Sequence, residues 1–378
     1  MGREVNVKPL MFSLVKENNN MPLGVFPLKN LIIEILLKCN LNCSFCYASA
    51  TSTSKRENEL TTQEILQIIH QAKKMGVEDI DLTGGEPLLH KDILKIVKEI
   101  INQDLLLTIQ TNATLISKHM DLINFLTEVK DRVRIFVSLN GATAKTHDEL
   151  YGVTGAFDKT LEGIKILTTN GIRTCIATTY QEKNFDEIPK IIYLSKKLGA
   201  EWSGGPIINT GRGSIDQFDP LVKDFIKSKG EKYTKAYSSK RFKGRDWQLS
   251  YIGCNAGITG CIVLSNGDVI SCFMEREHIA GNIREQPLDV IWKKGIFPPR
   301  EVDNSKTLCS SCKFLMYCCG GCTYFRKVYC GNFDIPPPST CAWFGVIAKM
   351  TKEKIYEKIN KKDYVNIKIP NTSKTFKD

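Results

Sequence analysis

Nowhere in this 378-residue chain is there an apolar run of the about 18 residues that a membrane span requires. The first twenty residues, "MGREVNVKPLMFSLVKENNN", also lack the continuous apolar core of a secretion signal. A cytoplasmic protein is therefore expected. Between residues 47 and 253 cysteine is missing except for Cys175, although the chain holds 14 in all. A disulfide framework would not leave such a gap, and cytosolic thiols are kept reduced. The other cysteines are clustered, three at 39–46 and ten at 254–341, which points to metal binding or catalysis. With 42% hydrophobic and 25% charged residues the composition is that of a folded globular protein. Its length suggests two domains, or one barrel with an appendage. The formal charge of +11 treats every thiol as neutral. Metal-bound thiolates would reduce that excess, so a basic solvated surface is expected rather than a groove for nucleic acid.

From Leu31 to about Ile208, short apolar strands alternate with amphipathic helices. Strands are expected at 31–37, 78–85, 105–112, 133–141, 172–180 and 200–207. Helices are expected at 61–76, 91–103, 117–129, 157–171 and 185–199, the first with a Thr cap and a closing Gly. Six such units argue a parallel α/β architecture, open or curved toward a barrel. Residues 216–249 read as a basic helical connector. Beyond them the chain is rich in Cys, Gly and Pro, and "CIVLSNGDVISC" (261–272) signals a β-hairpin turning at Asn266-Gly267. The expected units are an extension over 1–29, the α/β unit over 30–215, the connector over 216–249, a cysteine-rich unit over 250–350 and a basic tail over 351–378.

The stretch "KCNLNCSFCY" (38–47) spaces three cysteines as C-x3-C-x2-C in the loop after the first strand. Ligand sites in parallel α/β folds lie at the C-terminal ends of strands. A closed tetrahedral thiolate site needs four ligands. Three thiolates on a four-iron cluster would leave one iron open for chemistry; a zinc knuckle borrowing a distant ligand is the alternative. The second strand ends in "TGGEP" (83–87), where two glycines expose backbone to a close ligand and a carboxylate follows that can bind an amino group. The competing reading is a tight turn into the next helix.

Together, and in this order, these motifs resemble the radical S-adenosylmethionine (radical SAM) enzymes. "IEILLKCNLNCSFCY" is similar to that family's first strand and cluster loop, and "TGGEP" to its Gly-Gly-Glu motif. "SLNGATAKTHDELYGVTGAFDKTLEGI" (138–164) resembles the region after its fourth strand, where an Asp more commonly stands at Asn140. The resemblance implies an α/β partial (β/α)6 TIM-type barrel with a C-terminal cysteine-rich domain carrying a β-hairpin. It implies that Cys39, Cys43 and Cys46 hold a catalytic [4Fe–4S] cluster whose open iron chelates S-adenosylmethionine. Gly84, Gly85 and Glu86 would contact the methionyl amino group, and Asn112 and Ser138 are candidates for the ribose or carboxylate. Phe45 and Tyr47 would wall the pocket. Reductive cleavage would give a 5′-deoxyadenosyl radical that takes a hydrogen atom from substrate, with flavodoxin or ferredoxin as reductant.

The C-terminal pattern Cys309-x2-Cys312-x5-Cys318-x3-Cys322, with Cys254, Cys261 and Cys272 before it and Cys341 after it, makes two four-thiolate sites. All-cysteine zinc sites use similar pairs. Beside the barrel motifs the pattern resembles the SPASM extension of radical enzymes. That resemblance implies two auxiliary clusters, one on Cys254, Cys261, Cys272 and Cys322, the other on Cys309, Cys312, Cys318 and Cys341. Cys261 is the least secure, since some relatives lack a ligand there. Cys175 reads as a small buried residue. SPASM enzymes mostly modify peptides, so the expected function is a radical maturase of a ribosomally made peptide, by cross-linking, epimerisation or oxidation. The alternative is an oxidoreductase of quinone, mycofactocin-like or haem cofactor biosynthesis. A sulfatase maturase is disfavoured because Phe273, not Asp, follows Cys272; a pure electron-transfer protein is disfavoured by Gly84-Gly85-Glu86. About 30 residues precede the first strand, too few for a packed leader-binding domain. Either a separate leader-binding protein delivers the peptide or the enzyme meets its substrate directly, and the basic surface suits an acidic leader; neither a membrane nor nucleic acid is an expected partner.

Overall fold

The computed structural model describes residues 27–54, 57–208, 210–213, 256–294, 322 and 324. Six parallel strands form its centre: β1 Asn30–Glu34, β2 Asp79–Thr83, β3 Leu106–Thr111, β4 Val133–Ser138, β5 Arg173–Tyr180 and β6 Glu201–Pro206. Each pairs with its sequence neighbour, so the order across them is β6-β5-β4-β3-β2-β1. The crossovers are α1 Thr62–Lys74, α2 Ile93–Asn102, α3 Met120–Glu128, α4 Ala144–Tyr151 with α5 Ala156–Thr169, and α6 Ile188–Lys197. Each helix was legible from its 3.6-residue period except α4, whose sequence AKTHDELY is short and mostly polar.

α1 starts where its capping box says it must. The Thr61 hydroxyl accepts from the Glu64 amide, and the Glu64 carboxylate accepts from the Thr61 amide at 2.8 Å. Gly76, at φ +80°, follows the last turn. The strands alternate. Leu31, Ile33, Ile80, Leu82, Ile109 and Val137 pack against the helices in one continuous core. The in-between positions Asp81, Gln110, Phe136 and Ser138 turn to the other face and are half-buried. Helices thus cover one face, as in a barrel wall, and the opposite face is polar.

The hairpin read in the cysteine-rich region is present, but it does not stand apart. β7 Gly260–Val263 pairs parallel with β1, Leu31 opposite Cys261, and then turns antiparallel into β8 Asp268–Ile270 and β9 Gly281–Asn282. The turn is closed by the Gly267 amide on the Leu264 carbonyl at 2.8 Å, with Gly267 at φ +89°. The sheet therefore continues as β1-β7-β8-β9, nine strands in all among the described residues, and is not closed by strand pairing into a barrel. α7 Leu288–Lys294 packs back on the same core through Ile291 and Trp292. No helix among the described residues is long and apolar enough to cross a membrane.

His147 on α4 has a measurable signature. It is fully buried, stacks on Tyr151 with centroids 4.0 Å apart, and its Nδ1 accepts the Asn140 amide. Burial holds its pKa down at about 3. The unfolded chain takes up this proton below about pH 6.5 and the folded one does not, so this group's contribution to stability falls as pH drops from 6.5 toward 3, by about 1.4 kcal/mol per unit. Buried Glu86 has the opposite slope, because its pKa is raised, so the test is a difference. Urea unfolding of the apo-protein should show the His147→Gln variant gaining on wild type by about 2 kcal/mol between pH 7 and pH 5. An unchanged difference would show that His147 titrates normally in the fold.

Candidate active site

The loop after β1 carries the three thiols, and its backbone is held from every side. The Cys39 amide donates to the Thr51 carbonyl at 2.9 Å, the Asn42 amide to the Tyr151 carbonyl at 3.0 Å, and the Ser44 amide to the Leu150 carbonyl at 2.9 Å. Amides also face the sulfurs: Leu41 N–H lies 3.5 Å from Cys39 Sγ and Ala50 N–H 3.3 Å from Cys46 Sγ. Cys39, Leu41, Ala50, Leu150 and Tyr151 make a small apolar cluster of their own, with Cys43, Phe45 and Cys46 at its edge. Burial pushes the Cys39 thiol up to about 12, with Glu86 and Cys46 adding to the shift, and the Cys43 thiol higher still, with Cys39 and Cys46 adding to it. The three cysteines belong to one packing cluster.

The motif "TGGEP" packs directly on the loop that carries the thiols. Its two glycines admit the backbone of that loop. A Cβ on Gly84 would lie 2.4 Å from the Leu36 carbonyl oxygen, and one on Gly85 2.2 Å from that of Lys38. In that space Gly85 N–H bonds Leu36 O and Glu86 N–H bonds Lys38 O, both at 2.9 Å. The Glu86 carboxylate is fully buried. It accepts from Leu88 N–H at 3.1 Å, Thr111 O–H at 2.7 Å and Asn112 N–H at 2.8 Å. Burial raises its pKa to about 7, against the pull of these three donors. Glu86 thus ties the end of β2 to the end of β3.

Asn112 reaches the same loop. Its Nδ2 donates to Asn40 Oδ1 at 3.0 Å, its Oδ1 accepts from Thr114, and Asn40 donates to Thr114 Oγ1 at 2.8 Å. Asn40 and Thr114 were not singled out from sequence, because a polar residue in a loop carries no periodic signal. Ser138 ends β4 on the polar face, half-buried. Asn140, where Asp was the more familiar residue, is saturated: it donates to Tyr151 Oη at 3.1 Å and accepts from Thr179 N–H at 2.6 Å. Phe45 stands edge-on to Tyr151 at 5.7 Å, so it packs the loop on α4. Tyr47 lies against Phe273 at 4.7 Å, and the Arg276 guanidinium sits over both rings. Arg276 also pairs with Glu34, fully buried at the end of β1, at 2.5 Å, and Glu34 accepts from Ser265 Oγ at 3.1 Å. The hairpin is thereby bolted to the strand that leads into the three thiols.

Comparison with known proteins agrees with this arrangement. The profile of the Radical SAM superfamily matches residues 33–193, and that of an iron–sulfur cluster-binding domain, SPASM, matches residues 254–313. The chain is 31% identical to the AdoMet-dependent heme synthase of Methanosarcina barkeri over 76% of its own length and 89% of the relative's. The chain belongs to the radical SAM superfamily. This radical SAM enzyme of the SPASM branch is also 26% identical to the mycofactocin maturase MftC of Mycolicibacterium smegmatis, over 86% of this chain and 85% of that one. In fold it is similar to Streptococcus suis SuiB, solved with its precursor peptide SuiA: TM-score 0.62, 23% identity, covering 87% of this chain and 78% of that one. SuiB has also been solved with S-adenosylmethionine.

Family membership implies S-adenosylmethionine and iron–sulfur clusters. The residues of the β1 loop fit such a group. No three His, Cys, Asp or Glu side chains among the described residues converge enough to hold a single metal ion. One buried and two half-buried thiols on one short loop suit a larger, positively charged centre, which offsets the cost of the thiolates. Of the auxiliary cysteines, Cys272 and Cys322 are both within electrostatic reach of Tyr324. Cys261 lies among core residues. It sits in β7 on the helix-facing side, in the main apolar core beside Val263, and its thiol is raised by burial alone. Strand alternation turns it away from the face that carries Ile262 and Ile270. Cys254, Cys309, Cys312, Cys318 and Cys341 lie outside the described residues. Cys175 is buried as expected, but on the polar sheet face, under the influence of Glu201, Arg134 and Arg173 rather than in the apolar core.

Proposed function

We propose that this radical SAM enzyme is a maturase that takes a hydrogen atom from a ribosomally made peptide. The observation that carries the chemistry is the clustering of Cys39, Cys43 and Cys46 on one loop, held near Glu86 and Asn112 at the carboxyl ends of β1, β2 and β3. In this reading the three thiols hold a [4Fe–4S] cluster, and S-adenosylmethionine bound there supplies a 5′-deoxyadenosyl radical. The chain's own residues fix the loop, keep water from the thiols through Leu41, Leu150 and Tyr151, and present a polar sheet face, with Gln110 and Ser138, to a substrate backbone. The likeness to the maturase MftC and to the fold that carries SuiA in SuiB supports a peptide. Phe273, packed at a tilt against Tyr47, leaves no carboxylate at the position after Cys272, which speaks against formylglycine formation. The higher identity to a heme synthase favours a second reading, in which the substrate is a porphyrin carboxylic acid.

The test is anaerobic reconstitution with dithionite and S-adenosylmethionine, with a candidate precursor peptide in one arm and an iron porphyrin carboxylate in the other. Formation of 5′-deoxyadenosine together with a changed peptide mass supports the maturase. A changed porphyrin instead supports the second reading. No 5′-deoxyadenosine in either arm would sink the assignment of the three thiols.

For the auxiliary clusters, we infer two: one on Cys254, Cys272 and Cys322 without Cys261, the other on Cys309, Cys312, Cys318 and Cys341. Wild type should then bind about twelve irons. Cys261→Val should keep all of them, and Cys272→Ala should lose about four. Equal loss from both variants would restore Cys261 to the ligand set.

A further inference from the structure

The chain returns to the three-thiol loop from the opposite end of the central strands. β6 pairs five strands away from β1, yet residues 210–213, "TGRG", which follow it closely, lie against the loop after β1. Gly211 adopts φ +62°, and a Cβ there would meet the Tyr47 carbonyl oxygen at 2.3 Å and that of Cys46 at 2.5 Å. Only glycine permits this approach. Gly213 closes the turn, its amide on the Thr210 carbonyl at 3.0 Å.

This places Arg212 on the loop. Its amide donates to the Cys46 carbonyl at 2.9 Å, its Nε to the Cys43 carbonyl at 2.7 Å, and its Nη2 to the Ala50 carbonyl at 2.9 Å. These three contacts span the second and third thiols and the amide that faces Cys46 Sγ. The side chain is half-buried, and its guanidinium is directed at the loop.

The geometry points to Arg212 as the positioning residue of this loop: its three donors hold the loop around the thiols, and its positive charge raises the electron affinity of the cluster bound there. The inference rests on the reading that Cys39, Cys43 and Cys46 hold that cluster. The two roles separate chemically. Lysine keeps the charge but cannot reach two carbonyls with a planar fork, whereas glutamine loses the charge. A positive charge favours the reduced cluster, so removing it shifts the midpoint potential negative.

The experiment uses the full-length, anaerobically reconstituted protein as wild type, R212K and R212Q. Redox titration is followed by electron paramagnetic resonance of the signal that changes on adding S-adenosylmethionine, which singles out the loop cluster. Iron release to a chelator is timed in parallel. The expected result is a negative shift in R212Q, a potential near wild type in R212K, and iron release from the loop cluster roughly tenfold faster in both. Equal potentials in all three proteins, or equal shifts in Lys and Gln, overturn the charge role. Unchanged iron release overturns the holding role. A wild type with no S-adenosylmethionine-sensitive signal refutes instead the assignment of the cluster to this loop.

Discussion

Gly85→Ala should cost the apo-protein about 3 kcal/mol of stability and strip the β1 loop of its iron. The added methyl would lie 2.2 Å from the Lys38 carbonyl oxygen and 2.3 Å from that of Leu37. Both obstacles are backbone, so no side chain can swing aside. The Lys38 carbonyl also accepts the Glu86 amide, and Cys39 is the next residue, so any retreat displaces the first thiol. Gly205→Ala is the control, because a Cβ there meets nothing within 4 Å. It should stay within about 0.5 kcal/mol of wild type. Urea unfolding of the apo-proteins and iron analysis after reconstitution measure the two effects. A Gly85→Ala protein as stable and iron-replete as the control would show that the loop is not packed on this glycine.

Glu86→Gln should be nearly as severe, for a different reason. Three donors converge on two carboxylate oxygens. An amide offers one oxygen, so its NH2 must face either the Asn112 amide or the Thr111–Leu88 pair. Donor then opposes donor in a fully buried site, at a cost of about 1–3 kcal/mol. The ends of β2 and β3 would part, and Asn112 would no longer hold Asn40. Binding of S-adenosylmethionine by the reconstituted variant, followed by equilibrium dialysis, should weaken by roughly a factor of 100. If unfolding and binding both match wild type, the tie between the strands is not what Glu86 provides.

Much of this was legible in the order of residues, because local physics wrote it. The helix period and the Thr61–Glu64 box placed α1, and apolar positions at every second residue oriented the strands toward their helices. The three-thiol spacing and "TGGEP" marked the site. What sequence does not show is which parts of the chain meet. Gly84 and Gly85 admit the chain's own backbone at Leu36–Lys38. Cys261 has a ligand-like spacing, yet a strand shows alternate residues to opposite faces, and its partner in register, Leu31, belongs to the core. Arg212 is one arginine in a loop; its importance arises only when β6 is brought round to β1. The partners of Glu86 are largely backbone amides, which every residue possesses and no motif records.

The parallel ladder between β1 and β7 also bears on how the chain is made. Asn30 pairs with Gly260, 230 positions later. At roughly 5–20 residues per second, synthesis of that interval takes on the order of tens of seconds. Through that time one edge of β1, with Leu31 and Ile33 ready to pair, has no strand to meet it. A nascent chain in this condition is a template for wrong pairing. The three thiols emerge early, but the flank of the strand that leads into them emerges late, so that strand is completed only by a part of the protein that the ribosome has yet to build.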